Sequence, residues 1–307
     1  MAPELRHLRY LLAVAEHGNF TRAAADLHLS QPTLSQQIRQ LERMAGMPLL
    51  DRTGRTVRLT DAGTVYARHA RAALAELAAA ERAVHDVEDL SRGHLRIALT
   101  PSFTAYLLGP LLTAMRERYP GISVDVRESS QDTIESGLLD DEFDLGIAFA
   151  GPHSPGIEAA PLFTETLSLV TAVDREPHSP LPVHELARLD LALLNADFAT
   201  RGHIDAYLVE QGVTPRIMLD ANSVQAVVEA VTRTTLVTIL PGAVAREHPG
   251  LTAVALTPPI PTRAVVLLSR AGAYRSAAAT AFAELTRRLN ANGPAAIAGP
   301  FEFETGR

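Results

Sequence analysis

The chain has 307 residues, 47% of them apolar, enough for two or three domains with real cores. Cysteine is absent, which excludes disulfides, thiolate metal sites and thiol nucleophiles. Lysine is absent too: all 28 basic residues are arginine, so a pyridoxal Schiff base, a phosphate-loop lysine and a Ser–Lys dyad are excluded. The net charge of −7 is unevenly spread, with eight arginines against five acids in residues 1–60 (+3) and −10 on the remainder. A basic head on an acidic body fits a nucleic-acid-binding module joined to something else.

Near the start, Arg6 and Arg9 precede the apolar run Leu11-Leu12-Ala13-Val14-Ala15, which mimics a secretory leader. The run is too short and Glu16-His17 ends it, so a cytoplasmic protein is expected. Tyr10, Leu11 and Val14 suit one face of a first helix. Residues 20–39, FTRAAADLHLSQPTLSQQIR, then read as two short helices joined by a tight turn. Thr21 is the expected cap of the first, and Ser30, with Pro32 behind it, caps the second. Leu34, Ile38 and Leu41 form one buried stripe. The other face carries Gln31, Thr33, Ser35, Gln36 and Arg39, groups that bond base edges or phosphates. With Thr21, Arg22 and Pro32 at the helix starts, this suits the second helix of a helix-turn-helix in a major groove.

An ordinary helical hairpin would carry the same pattern, but the next segment of the chain favours a winged helix-turn-helix. Residues 49–59 read as a two-stranded ribbon turning near Gly54, with Arg52, Arg55 and Arg58 at every third position to flank a phosphate backbone. Residues 61–90 come next, with a helix free of Pro and Gly from Thr64. Tyr66, Ala70, Ala73, Leu77, Ala80, Val84 and Val87 alternate by four and three along it, a heptad seam expected to dimerise. From residue 91 onward strands alternate with helices. Strands are expected at 94–99, 122–126, 143–148, 167–171, 191–194, 216–219, 236–240 and 263–268. Helices are expected at 103–119, 133–139, 204–211, 223–232 and 277–290, and a loop at 151–156. Repeated βα units predict parallel sheets with helices on both faces, here in two lobes. The first lobe takes about 91–163 and 264–290, the second about 164–263, with crossings near 163–165 and 258–262. The Gly- and Pro-containing tail after Asn290, with Phe301 and Phe303, is expected to be mobile.

These features resemble the LysR-type transcriptional regulators over essentially the whole chain. The carrying motifs are FTRAAADLHLSQPTLSQQIRQLE, DRTGRTVRLTDAG, the long helix and the two-lobed body. Further stretches (12–19, 83–90, 144–150, 197–201, 221–224 and 233–241) are similar to the cyanate-operon type within that family. Thr234-Thr235 stands where many relatives have a glycine-rich turn, and Leu50 where the family often has Phe. The resemblance implies an α/β protein: a winged helix-turn-helix, a long dimerisation helix and a two-lobed, periplasmic-binding-protein-like effector domain. It also implies a homodimer or homotetramer on double-stranded promoter DNA, recruitment of RNA polymerase, and a small-molecule inducer such as cyanate.

Ligands of open α/β lobes sit off the carboxyl ends of strands, at helix starts. Those points are Thr100-Pro101-Ser102-Phe103 in the first lobe and residues 195–201 in the second. Thr100, Ser102 and Thr200 bring hydroxyls there, and free backbone N–H groups suit a small anion. Arg201 would add charge, with Gln131, Phe149, Phe198, Asn222 and Ser223 around it. Each could equally be an ordinary cap. Among rival functions, an enzyme lacks support: no His-Glu-x-x-His, nucleophile elbow or dinucleotide turn is present. His178 and His184 fall in a Pro-rich loop, so no metal or cofactor is expected. A transport solute-binding protein would leave the first 90 residues without a role.

Overall fold

The computed structural model describes residues 3–86, 93–175 and 180–291 and divides into two compact units. In the first, α1 (Leu5–His17), α2 (Phe20–Asp26) and α3 (Gln31–Ala45) surround a core of Leu11, Val14, Ala23, Ala24, Leu34, Ile38 and Leu41. The small Ala23 and Ala24, fully buried, let α2 lie close to its neighbours. The antiparallel ribbon β1 (Leu50–Asp51) and β2 (Arg58–Leu59) follows, then α4 (Asp61–Asp86). Of the expected seam on α4, Ala70 is buried and Tyr66 half-buried, whereas Ala73, Leu77 and Ala80 are exposed in the single chain. The side chain of Val84, and residues 87–90, lie outside the described residues, as do His178 and the tail with Phe301 and Phe303.

The ribbon is locked to α3 by a residue that the sequence pattern does not single out. Glu42 accepts hydrogen bonds from Leu49 N (3.0 Å), Leu50 N (3.2 Å) and Arg52 Nη2 (2.7 Å). Thr60 Oγ1 donates to Pro48 O and accepts from Gly63 N, capping α4. Gly63 itself has no room for a side chain, since a Cβ there would stand 1.9 Å from Leu49 O.

The second unit holds two lobes. In the first lobe β3 (Gly93–Leu99), β4 (Ile122–Glu128), β5 (Leu145–Phe149), β6 (Ile157–Glu165) and β14 (Arg263–Arg270) form one sheet in the order β4-β3-β5-β14-β6. Its helices are α5 (Pro101–Phe103), continued by one π turn (Thr104–Leu108) into α6 (Gly109–Arg118), then α7 (Gln131–Leu139) and α11 (Ala277–Ala291). The second lobe contains β7 (Leu167–Ala172), β8 (Leu181–Pro182), β9 (Asp190–Leu194), α8 (Ala199–Glu210), β10 (Arg216–Ala221) and α9 (Val224–Arg233). It ends with β11 (Thr238–Pro241), α10 (Gly242–Glu247), β12 (Leu251–Val254) and β13 (Leu256–Thr257).

The expectation of parallel sheets is corrected in part. β3 pairs parallel with β4 and β5, but β14 runs antiparallel to both β5 and β6, and β7 is antiparallel to β11 and β12. Antiparallel pairing follows from the chain's return: β6 leaves the first lobe and β14 re-enters it beside β6. Strand β6, helix α10 and strand β12 are additional to the expected elements, and β6 ends at Glu165, with Thr166 alone between it and β7.

Candidate functional site

On the first unit, the helix caps, the buried stripe and the exposed polar face of α3 stand as expected, with two corrections. Asn19, not Thr21, caps α2: its Oδ1 accepts from Thr21 N (2.8 Å) and Arg22 N (3.1 Å), and Thr21 lies inside the helix. Ser30 caps α3 as expected, accepting from Thr33 N at 3.2 Å, with Pro32 in the first turn. Leu34, Ile38 and Leu41 are fully buried, while Gln31, Pro32, Thr33, Gln36 and Arg39 are exposed and Ser35 is half-buried. Arg22 donates to His17 O at 2.7 Å. Arg55 and Arg58 are exposed on the ribbon. Arg52 is not a free ribbon cation, because it pairs with Glu42 and stands over the Phe20 ring, 5.5 Å from its centroid.

In the second unit, six of the ten expected effector residues line one cavity of about 350 Å³: Thr100, Ser102, Gln131, Phe149, Phe198 and Thr200. Thr100 directly follows β3 and Ser102 lies in α5, Gln131 comes from the start of α7, Phe149 from the end of β5, and Phe198 and Thr200 from the start of α8. The cavity thus opens where strand ends of the two lobes face one another. Glu128, Ser129, Ser130 and Asp132 also line it, outside the stretches expected there, as do Pro101, Asp197 and Ala199 within them. The strand-end rule applied to β4 would have found the first four of them.

The other four stand elsewhere. Phe103 is fully buried beneath the cavity, its ring 5.0 Å from that of Phe149, so it supports the wall without lining it. Arg201 is turned away from the cavity: it donates to Leu194 O and to the carboxylates of Asp205 and Asp220. Burial pulls its pKa down, but those hydrogen bonds and the Asp205 and Asp220 charges together outweigh it and raise it. Asn222 and Ser223 line an adjoining cavity of about 360 Å³, which shares Pro101, Glu128 and Phe198 with the first.

Electrostatically the 350 Å³ cavity is unusual for an anion site. Among the described residues no arginine or histidine lines it, and three carboxylates do. Arg263 lies behind the wall, 3.7 Å over the Phe149 ring centroid, bonded to Glu165 and to Thr200 Oγ1. Glu165 also accepts from Tyr106 Oη at 2.5 Å. Burial, then the neighbouring Glu165 charge, push the Tyr106 phenol well above its ordinary value, so it stays protonated and donates. Thr100 Oγ1 is buried and has no hydrogen-bond partner.

Residues 5–64 match the family described as bacterial regulatory helix-turn-helix protein, lysR family, and residues 88–291 match the LysR substrate binding domain. The chain belongs to the LysR-type transcriptional regulators, and is a DNA-binding regulator rather than an enzyme. It is 32% identical over 245 residues to the nitrogen assimilation regulatory protein nac of Escherichia coli K12, covering 79% of each chain. It is 31% identical over 229 residues to CbbR of Rhodospirillum rubrum, covering 74% of this chain and 76% of that one. A full-length OxyR variant from Pseudomonas aeruginosa shares the fold, with a TM-score of 0.71 over 94% of this chain and 95% of its own at 22% identity. CbnR complexed with its target DNA has a TM-score of 0.54 at 25% identity, covering 93% and 99%. Regulators of this family bind promoter DNA, respond to small molecules and oligomerise. No described helix is long and apolar enough to cross a membrane.

Proposed function

We propose that the chain is a cytoplasmic activator that reads a promoter with α3 and the β1–β2 ribbon and senses a small anion, cyanate first among candidates, in the 350 Å³ cavity. In this reading Gln31, Thr33, Ser35, Gln36 and Arg39 face bases and adjacent phosphates, and Arg55 and Arg58 flank the backbone. The exposed Ala73, Leu77 and Ala80 of α4 meet a second copy, giving a dimer or tetramer that recruits RNA polymerase. One observation carries the effector site: the Thr100 hydroxyl is buried on the cavity wall without a partner. Leaving such a group unpaired costs about 1–3 kcal/mol, and a ligand oxygen or nitrogen there would offset it. The backbone N–H groups at the starts of α7 and α8 add donors of the kind an anion accepts from.

Cyanate is supported by the short motif stretches alone. Two features favour a larger second candidate, an aromatic acid: the cavity exceeds the volume of a three-atom ion, and the Phe149 and Phe198 rings line it. The acidic rim of Glu128, Asp132 and Asp197 disfavours polyanions in either case.

A melting titration of the full chain separates the candidates. A ligand that binds only the folded state stabilises it by about 2.7 kcal/mol at a hundred times its Kd. Cyanate, azide, bicarbonate and benzoate are compared, on wild type and Thr100→Val. With no lysine present, cyanate cannot carbamoylate side-chain amines and blur the result. A saturable rise with cyanate that Thr100→Val removes supports the first reading, and a rise with benzoate alone supports the second. No rise with any of the four removes the anion reading.

A further inference from the structure

Glu165 and Arg263 face each other in register on β6 and β14, the two strands that connect the lobes. Their side chains are only 3% and 9% exposed, so the ion pair is sealed from solvent. Arg263 uses its fork twice, bonding Glu165 through Nε at 2.5 Å and Thr200 Oγ1 through Nη2 at 2.8 Å. The guanidinium plane also rests on Phe149. One side chain therefore touches a cavity wall from each lobe. Beyond Glu165, Tyr106 completes the chain at 2.5 Å. Tyr106 lies inside the π turn at Thr104–Leu108, directly after the Thr100–Ser102 wall, and such turns concentrate at functional sites.

The second lobe is fastened along the same line. Thr200, His203 and Tyr207 recur by three and four on α8, which places them on one face. His203 Nε2 lies 2.7 Å from Pro261 O, and Tyr207 Oη donates to Pro258 O at 2.6 Å. So α8, whose first turn lines the cavity, is held at three points to the return crossing and to the arginine that ends it.

We propose that Arg263 is a positioning residue, and that Thr200–Arg263–Glu165–Tyr106 is a relay coupling the α8 wall of the cavity to the π-turn helix of the other lobe. A buried ion pair that loses a partner leaves a charge without compensation, so the relay resists partial states and shifts as a unit. An occupant that moves Thr200 must then move Tyr106, and the reverse.

Coupling needs direct evidence, and reciprocity supplies it. Hydrogen–deuterium exchange is measured on the full chain for wild type, Tyr106→Phe and Thr200→Val, both close in shape to the parent. Tyr106→Phe is expected to speed exchange about tenfold at residues 199–203, which Tyr106 does not bond, as loss of a bond to a charged group would. Thr200→Val is expected to do the same at residues 104–108. Arg263→Lys keeps the charge but not the fork, and is expected to loosen both segments. Changes confined to each variant's own lobe overturn the relay and leave a local staple. Because no ligand is used, that failure would be separate from any failure of the effector reading.

Discussion

The three ribbon arginines have the same spacing but different surroundings, and salt distinguishes them. Arg55 and Arg58 are exposed. Arg52 is bonded to Glu42 at 2.7 Å and covers Phe20. A side chain that neutralises a phosphate releases counterions, so its removal lowers the slope of log K against log salt by about 0.9. From 50 to 200 mM, a fourfold change, that amounts to roughly 3.5-fold in affinity per lost contact, and about twelvefold if two copies each lose one. Arg55→Ala and Arg58→Ala should each flatten the slope by this amount and leave the melting temperature unchanged. Arg52→Ala should leave the slope nearly unchanged, lower the melting temperature, and weaken binding by loosening the ribbon from α3. The assay is fluorescence anisotropy on a labelled non-specific duplex, which needs no operator sequence, beside thermal melts. A slope loss of about 0.9 for Arg52→Ala with no thermal shift would refute the assignment of Arg52 to the fold.

Glu42→Ala removes two backbone hydrogen bonds and the Arg52 pair, and should cost about 3 kcal/mol, read as faster amide exchange across 49–52. Gly63→Ala drives a Cβ onto the Leu49 carbonyl, so about 1–3 kcal/mol of destabilisation is expected in a thermal melt, with DNA binding reduced in parallel. For Glu135, burial pushes the pKa up, but hydrogen bonds from His153, Ser154 and Gln131 outweigh it and leave the carboxyl below its ordinary 4.5. A depressed folded pKa gives stability that is present above the unfolded value and lost as pH falls below it. Glu135→Gln should therefore melt lower than wild type at pH 6, with the gap closing below about pH 4.5. Parallel melting curves across that range would remove the claim.

The features legible in the sequence are mostly those that short range decides. The stripe at Leu34, Ile38 and Leu41 and the Ser30 cap are local, and each stands as expected. Asn19 and Thr21 are both good caps two residues apart, and only the backbone turn after Gly18 selects the asparagine. Strand β6 is hidden by Pro161, which removes a ladder donor. Such a residue is tolerated here because β6 is an edge strand with a register shift beside Pro161. The direction of β14 depends on partners 98 or more residues away, and an apolar run carries no sign of direction. The hydroxyls at strand ends are found by the topological rule, whereas Phe103 cannot be told from a lining residue, since a supporting ring and an exposed one have the same local pattern.

Arg201 is the most informative miss, because it shows where this chain places its cations. With no lysine, every interior cation is a planar fork able to serve several acceptors at once. Arg201 holds Leu194 O, Asp205 and Asp220, Arg263 holds Glu165 and Thr200, and Arg96 grips both oxygens of Asp144. Each fork is occupied in joining elements of the fold. None of the three lines the cavity, so a ligand in the proposed site would be held by hydroxyls, an amide and backbone N–H groups. Binding through such neutral donors falls little with salt, whereas an anion steered by an arginine weakens as ionic strength rises. Effector affinity that holds or rises slightly with salt, as screening weakens the repulsion of the three rim carboxylates, is therefore the expected companion of DNA affinity that drops steeply over the same range.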